Sequence, residues 1–385
     1  MLKQSNAITE ELIEWRRDFH QHPELGFDVH RTAGKVADEL EKMGYRVTRG
    51  VGKTGVVAEI GEGSPCVAIR ADMDALPIEE QNTTDYVSQV KGKMHACGHD
   101  AHTSMALGAA LLLSKEKFNG RVRFLFQPSE EIGDEEGLSG AMRMSADGCM
   151  DGVDYVIAQH VDPHSPVGTI AIEAGPASGG VDSWFATVRG VGGHGAHPNK
   201  TIDPFYLTAH VIIALNAIVS RRIDPFAPAV VSIGSIHGGF TENVIPESVK
   251  VTGTLRYARL EDHPLIRAEI QRAFEVARTL GGDCELKFEY GGPPMINDEH
   301  VSNVIAQAGA DLLGRENVKP FHKTLGAEDF GEFMKHAPGA MYTLGTRIED
   351  GMERPLHHPR FDIDERALPI GTAMLVETAL RFLRK

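Results

Sequence analysis

Apolar runs alternate with helical segments along the first half of this chain, and that order limits the fold more than any other feature. Buried strands that alternate with helices favour a mostly parallel sheet covered on both faces. We therefore predict an α/β fold built on a doubly wound, mostly parallel sheet. The predicted strands are 55–60, 67–71, 122–126 and 155–158, and the predicted helices are 8–21, 31–43 and 104–114.

A different order of elements, β-α-β-β-α-β, is predicted between residues 183 and 290. That order is the ferredoxin-like arrangement. We predict an inserted ferredoxin-like α+β domain at 181–290, within a larger domain made from 1–180 and 291–385. The insert has predicted strands 183–189, 229–236, 249–257 and 285–290 and helices 203–220 and 262–280; helix 299–313, strand 340–344 and helix 366–383 follow it.

The length and the charge narrow the class of protein. With 385 residues and 42% hydrophobic content, the chain can bury a large core, and two domains are expected. The net charge of −15 argues against nucleic-acid binding, because proteins that bind nucleic acid carry basic patches.

Neither a membrane nor a secretory route is predicted. The opening MLKQSNAITEELIEW lacks the apolar core of a signal peptide. The most apolar stretches, near 105–113 and 211–219, are too short to span a bilayer. Without secretion, the cysteines at 66, 97, 149 and 284 are expected to be reduced, and we predict a cytoplasmic protein.

The predicted helix 203–220 is apolar almost all round at 211–219. A helix of this kind usually has two covered faces. One face can pack on its own sheet. The other has two interpretations, ordinary burial within the domain or contact with a second subunit.

Polar side chains follow several predicted strands at the point where each strand ends. Asp72 and Asp74 follow 67–71, and His160 comes shortly after 155–158. Ligands of open α/β sheets bind beyond the carboxyl ends of the strands. Acidic and imidazole groups brought to one edge in this way predict a metal site.

Cys97 and His99 fit the same picture. In an extended segment, residues i and i+2 point the same way, so both side chains could face one point. A thiolate and an imidazole suit a borderline-soft ion such as zinc. The alternative is a buried cysteine beside histidines that only support the site.

The adjacent carboxylates Glu130 and Glu131 follow strand 122–126. Neighbours in an extended chain project to opposite sides, so one can hold a metal while the other stands over the attacking water. Two carboxylates in different environments can have separated pKa values, as acid–base catalysis requires. The alternative is that both are solvated loop acids.

Together, these segments resemble the amidohydrolase branch of the aminoacylase and carboxypeptidase-G metallopeptidase family. Hippurate hydrolases and indole-acetyl-amino-acid hydrolases belong to that branch, and the resemblance covers essentially the whole chain. The matching motifs are RRDFHQHPELGF (16–27), RADMDALPI (70–78), MHACGHDAHT (94–103), FQPSEE (126–131), GGHGAHP (192–198), GAEDF (326–330) and PLHHPRFD (355–362).

The resemblance implies a catalytic domain in two segments, 1–180 and 291–385, with a lid and dimerisation domain at 181–290 between them. It also implies two divalent metal ions, zinc or manganese, with a cysteine where related branches use a bridging aspartate. In PLHHPRFD, the first histidine occupies the ligand position. The implied metal ligands are Cys97, His99, Glu131, His160 and His357.

The resemblance assigns further roles to four residues. Glu130 matches the general base, and His194 matches a lid histidine that reaches the active site of the partner subunit and supports the oxyanion. Asn243 and Arg256 match lid positions associated with the substrate carboxylate. The chain departs from the family at 132–144, where a shorter glycine-rich stretch is expected, so the substrate does not carry over there.

The predicted function is metal-dependent cleavage of the amide bond of an N-acyl amino acid, with Glu130 as the base, in a homodimer or dimer-based oligomer. The substrate is a small molecule, not nucleic acid or membrane. A dipeptidase or carboxypeptidase on the same site is the alternative. A binding protein without activity is a third hypothesis, but it would be expected to lack the base or a ligand.

Overall fold

A computed structural model describes residues 1–384 of the chain. The described chain divides into two compact units. The first contains Met1–Ala177, Ile296–His322 and the described residues from Asp329 onward; the second contains Ser178–Met295 and Lys323–Glu328.

The helices and strands alternate along most of the described chain. The α-helices are α1 (Leu2–Asn6), α2 (Thr9–Gln21), α3 (His30–Lys42), α4 (His99–Leu113), α5 (Gly140–Ala146), α6 (Pro204–Arg222), α7 (Asp262–Thr279), α8 (Glu299–Leu313) and α9 (Leu368–Leu383). The strands are β1 (Arg46–Val51), β2 (Gly55–Glu62), β3 (Cys66–Asp72), β4 (Gly120–Gln127), β5 (Tyr155–Pro166), β6 (Ile170–Ala171), β7 (Gly175–Pro176), β8 (Gly180–Arg189), β9 (Gly193–His194), β10 (Ala229–Gly238), β11 (Val244–Ile245), β12 (Ser248–Tyr257), β13 (Asp283–Gly292), β14 (Ile296–Asn297), β15 (Val318–Lys319) and β16 (Gly339–Arg347).

The first unit is built on a mixed sheet with the strand order β1-β2-β4-β3-β5-β16-β6-β15. The central strands β4, β3, β5 and β16 are parallel, as the sequence predicts, whereas β1 and β2 pair antiparallel at one edge. The edge differs from the prediction because a turn of only a few residues joins β1 to β2, and only antiparallel strands can be connected so tightly.

The parallel centre brings the carboxyl ends of three strands to one edge. In the register of β3 and β4, Asp72 lies opposite Gln127, the last residue of its strand. On the other side of β3, Arg70 lies opposite Ala158 of β5, two residues before His160. Side chains that follow these positions therefore start from neighbouring points on the sheet.

Helix α4 is buried along almost its whole length and packs against α9, α2 and β3. A helix that is apolar all round needs cover on every side, and α4 has it. Its first residue is His99, so this predicted metal ligand lies at the N-terminus of the most deeply buried helix of the unit.

The second unit is a four-stranded antiparallel sheet with α6 and α7 packed on it. The strand order β10-β12-β8-β13 and the element order β-α-β-β-α-β are those of the predicted ferredoxin-like arrangement. Alternate residues of the strands form its core, including Trp184, Val251 and Leu255, and the Trp184 ring meets the edge of Phe274 from α7.

Helix α6 is longer than the apolar stretch at 211–219 indicates, because it continues to Pro204 and to Arg222. Within the described residues, it is the one helix long and apolar enough to cross a bilayer by length and composition alone. A third (33%) of its most apolar 18-residue stretch is buried within the protein.

Candidate metal centre

The ends of β3 and β4 and the middle of β5 deliver the acidic and imidazole side chains of the site. His160 lies inside β5 and not beyond its end, because β5 continues to Pro166 alongside β16. Its Nδ1 donates to the carbonyl of Val161 at 2.8 Å, which leaves Nε2 as the free electron-pair donor. That nitrogen lies 3.5 Å from Sγ of Cys97.

Cys97 and His99 converge as predicted, but not through an extended segment. Gly98 between them has a left-handed backbone, with φ of 89°, and His99 is already the first residue of α4. A Cβ at position 98 would lie 2.4 Å from Cγ2 of Val161, so glycine is required both by the backbone and by the space. The turn from loop to helix, and not a strand, brings the two side chains together.

Glu130 and Glu131 also differ from the expected geometry. The chain bends at this point, and Ser129 just before it has a left-handed φ of 52°. The two carboxylates therefore do not project to opposite sides. Each places an oxygen within 4.8 Å of the other and of a ring nitrogen of His99.

Two groups of candidate ligands share one thiol. Cys97, His99 and His160 offer three ligand atoms that lie within 4.8 Å of one another. Cys97, Glu131 and His357 form a second group under the same limit. The structure thus brings all five predicted ligands together as two triads that meet at Cys97.

Asp74 organises both glutamates and His99. Its carboxylate accepts the backbone N–H groups of Glu130 and Glu131 at 3.0 and 3.1 Å. Its Oδ1 also lies 3.4 Å from Nδ1 of His99. A carboxylate behind a ligating histidine fixes the tautomer and the orientation of the ring.

A second buried carboxylate, Asp72, acts through His102. Asp72 Oδ1 lies 2.7 Å from Nδ1 of His102, whose Nε2 accepts the backbone N–H of Val161. The guanidinium of Arg70 donates to the other oxygen of Asp72 at 2.7 Å. This chain of contacts ties α4 to the part of β5 that carries His160.

The electrostatics of the site favour positive charge. Burial disfavours the charged imidazole of His99, but Asp72 and Asp74 outweigh it and hold its pKa well above the usual value. Burial raises the pKa of Glu131, but the nearby His357 and His99 lower it by more, so the pKa of this carboxyl lies below its usual value. A field of carboxylates that holds protons on imidazoles also attracts a divalent cation.

The burial of donor atoms gives a direct test of whether metal ions fit. Both ring nitrogens of His99 and Oε1 of Glu131 are buried, and among the described residues they have no hydrogen bond of acceptable geometry. His357 Nε2 lies 3.2 Å from that Oε1, within ion-pair distance. Buried polar atoms are almost always satisfied, so these donors fit metal coordination.

A third set of contacts behind the site was not anticipated from sequence. Arg16 of α2 is fully buried and donates to Asp100 at 3.0 Å and to Asp362 at 2.6 Å. His20, one turn further along α2, lies 2.8 Å from the same oxygen of Asp100. Their positions gave a signal, because both stand on the buried face of α2 that also carries Phe19.

The other predicted site residues lie in the second unit. His194 is exposed on β9, and its Nδ1 accepts the backbone N–H of Ala196, which leaves an Nε2–H donor facing outward. Asn243 is next to it, since its carbonyl accepts the N–H of Gly195. Arg256 lies on β12, and its Nη1 donates to the carbonyl of Leu325.

Most of the chain is similar to proteins of one hydrolase family. The model of peptidase family M20/M25/M40 matches residues 68–381. The chain is 39% identical to thermostable carboxypeptidase 1 of Saccharolobus solfataricus, over 98% of this chain and 97% of that protein. It is 38% identical to N-acetyl-L-cysteine deacetylase of Bacillus subtilis, over 98% of this chain and 89% of that protein. The crystal structure of the Bacillus subtilis YXEP protein, described as a dinuclear metal binding peptidase, matches with a TM-score of 0.85 and 35% identity over 98% of each chain.

Proposed function

The chain belongs to peptidase family M20/M25/M40 and is a hydrolase, and on that premise we propose that it is a two-metal amidohydrolase that cleaves the amide bond of N-acyl amino acids. The observation that carries the proposal is the pair of ligand triads that share Cys97. The deacetylase of N-acetyl-L-cysteine among its relatives supports an acylated amino acid as the substrate class.

We assign one ion to Cys97, His99 and His160, and the other to Cys97, Glu131 and His357. A thiolate, imidazoles and one carboxylate suit zinc, and manganese is the alternative. When bound, the two cations supply Lewis acidity at the scissile carbonyl and lower the pKa of water towards ~7.

Glu130 is the proposed general base. Its backbone is held by Asp74, and its carboxylate lies within 4.8 Å of ligand atoms of His99 and Glu131. From there, Glu130 takes the proton of the attacking water and later delivers it to the leaving nitrogen. Glu131 keeps its electron pairs for a cation, so the adjacent acids have different tasks.

The second unit supplies the remaining proposed groups. His194 presents its Nε2–H donor to the oxyanion that develops at the substrate carbonyl of the partner subunit, an interaction typically worth about 10²–10³ in rate. Arg256 pairs with the carboxylate of the amino acid, since its guanidinium can form two parallel hydrogen bonds. Asn243 binds the same end of the substrate.

The dimer that His194 requires has a suitable surface on α6. The outward stripe of this helix is mainly apolar and includes Phe205, Ala209 and Ile213, whose side chains are exposed; Ile213 is 68% exposed. Next to it in the same unit, β10 is an edge strand with Val230 and Ile236 partly exposed. Exposed apolar faces of this kind mark interaction sites, and we assign this one to a second copy of the chain.

The four described cysteines are all free, which supports a reducing compartment, and we place the enzyme in the cytoplasm.

A substrate screen tests the function directly. The purified chain is treated with a chelator, reloaded with zinc, manganese or cobalt, and offered N-acetyl and N-benzoyl amino acids beside dipeptides. We expect metal-dependent hydrolysis with a higher kcat/KM for the acyl amino acids. A preference for dipeptides would support the alternative, a dipeptidase or carboxypeptidase, which the similarity to thermostable carboxypeptidase 1 also favours.

The base is tested separately with Glu130→Gln. This variant should bind both metals and lose about 10²–10⁴ in kcat, the usual contribution of general acid–base catalysis. Glu135→Gln, an exposed carboxylate in the following loop, is the matched control and should keep full activity. Near-normal turnover by Glu130→Gln would remove this residue from the role.

A further inference from the structure

Arg16 is a fully buried arginine whose guanidinium contacts three carboxylates. Its guanidinium donates to Asp100 at 3.0 Å, to Asp362 at 2.6 Å and to Glu365 at 3.1 Å. These acids come from two segments that are more than 250 positions apart in the chain. Each segment also carries a proposed metal ligand.

The first contact is with the triad of Cys97, His99 and His160. Asp100 is the residue after His99, in the first turn of α4. Its Oδ2 receives both Arg16 Nε and Nδ1 of His20, so α2 holds the start of α4 through a single buried oxygen. A rotation of this turn would move the imidazole of His99.

The second contact is with the triad that contains His357. Asp362 lies five residues after His357, and its other oxygen accepts the hydroxyl of Tyr86. His357 has a left-handed backbone, φ of 63°, and its N–H donates to the carbonyl of Ala96. A strained residue of this kind keeps its conformation only where the surrounding contacts fix it.

We propose that Arg16 is a positioning residue that holds the two ligand triads in register, so that Cys97 can serve both ions at once. The inference rests on the proposed two-metal function. Arg16 grips the segment after His99 and the segment after His357 from one buried point. Without these contacts, each triad keeps its own ligands, but the two triads can no longer use the Cys97 thiolate at the same time.

The geometry requires arginine in particular. A guanidinium is a planar fork that can donate in several fixed directions, whereas the ammonium of lysine is a compact charge on a flexible stem. Arg16→Lys therefore keeps the charge near the three carboxylates but cannot bond all of them. Loss of outer contacts to metal ligands typically costs about 10–100-fold in metal affinity.

The neighbouring Arg17 provides a matched control. Its guanidinium binds Glu365 at 2.7 and 2.9 Å, lies over the Tyr86 ring and has Asp85 at 3.7 Å as its other acidic neighbour. Arg17→Lys therefore weakens the contact to Glu365 and leaves the contacts of Arg16 to Asp100 and Asp362 in place. The comparison of the two variants separates a general loss of stability from a change in the relative position of the two triads.

Cobalt binding measures the effect without any substrate. The chelated full-length proteins are titrated with Co²⁺ under reducing conditions, and the cobalt–thiolate absorption reports occupancy at Cys97. We expect the wild type and Arg17→Lys to bind two equivalents. Arg16→Lys should bind the first equivalent near normally and the second about 10–100-fold more weakly. Asp362→Asn, which keeps Arg16 and two of its partners, should show a smaller loss of the same kind and serves if Arg16→Lys does not fold.

The outcomes separate the two proposals. If the wild type binds fewer than two equivalents, or shows no thiolate absorption, the two-metal function itself fails. If the wild type binds two and folded Arg16→Lys binds both with unchanged affinity, Arg16 is only a structural residue. Equal losses in Arg16→Lys and Arg17→Lys would also overturn the inference, because a loss of general stability explains them.

Discussion

His20 should make the stability of the protein depend on pH in the alkaline range. The ring is fully buried on α2, with Nδ1 2.8 Å from Asp100 and Nε2 3.2 Å from Glu80. The other groups near it are Arg16 on its own helix and the rings of His95 and Tyr86. Burial lowers the pKa of His20, but the two carboxylates outweigh burial and raise it to about 9.

The size and sign of the effect follow from proton linkage. An imidazole in the unfolded chain has a pKa near 6.5, so the folded state binds this proton more tightly than the unfolded state. The resulting stabilisation is fully present below pH ~6.5 and is lost as the pH rises through about 9. At 1.36 kcal/mol for each pKa unit, the contribution is about 3 kcal/mol.

The assay compares denaturant unfolding of chelated wild type and His20→Gln between pH 6 and pH 10. The wild type should lose about 3 kcal/mol relative to the variant over this range. The loss should fall between pH ~6.5 and the folded pKa of about 9, and the two profiles should run parallel above that pH. His30→Gln, at a histidine whose side chain is 74% exposed, is the control and should run parallel to the wild type. Parallel profiles for wild type and His20→Gln would refute the charged imidazole.

Two further substitutions test the site and the dimer. Gly98→Ala should strain the left-handed residue by about 1–2 kcal/mol and push its Cβ against Val161. Metal titration of this variant should show at least ~10-fold weaker binding. Gly44→Ala, at a glycine with a similar φ and open space around it, is the control and should bind metal normally. Ile213→Asp should convert a dimer into monomers in sedimentation equilibrium, because it places a charge in the proposed apolar interface. Gln271→Asp, at an exposed position of α7, is the control and should leave the dimer intact. A wild type that is monomeric at micromolar concentration would contradict the interface.

The sequence predicted best what depends on neighbours along the chain. The helix predicted at 299–313 has those bounds in the structure, since Asp298 caps it and Gly314 ends it. The strand ends near Asp72 and Gln127 were also anticipated, because each apolar run stops where polar residues begin. The start of α4 was missed, although a glycine followed by an acid in the first turn is a usual signal of a helix start.

The convergence of the five ligands could be expected from the motifs, but the distances between them could not. The bend at Ser129 and the left-handed Gly98 decide that both triads reach Cys97. The extended geometry that the sequence favours would have separated Glu130 from Glu131. Backbone conformations of this kind depend on tertiary contacts, such as the close approach of Val161 to Gly98, that no local pattern encodes.

Arg16 shows how much about a buried charged residue can be inferred from the sequence alone. It stands four residues after Leu12 and three before Phe19, which places it within the apolar stripe of α2. A charge in that position must find partners, because an unpaired buried ion costs several kcal/mol. The position therefore implies buried acids somewhere in the chain, but it does not tell which ones. Asp362 is 346 positions away, and only the fold selects it. The same reasoning applies to His20. A charged residue on a buried helical face therefore indicates a residue that helps to position a site, even when its partners cannot be named from the sequence.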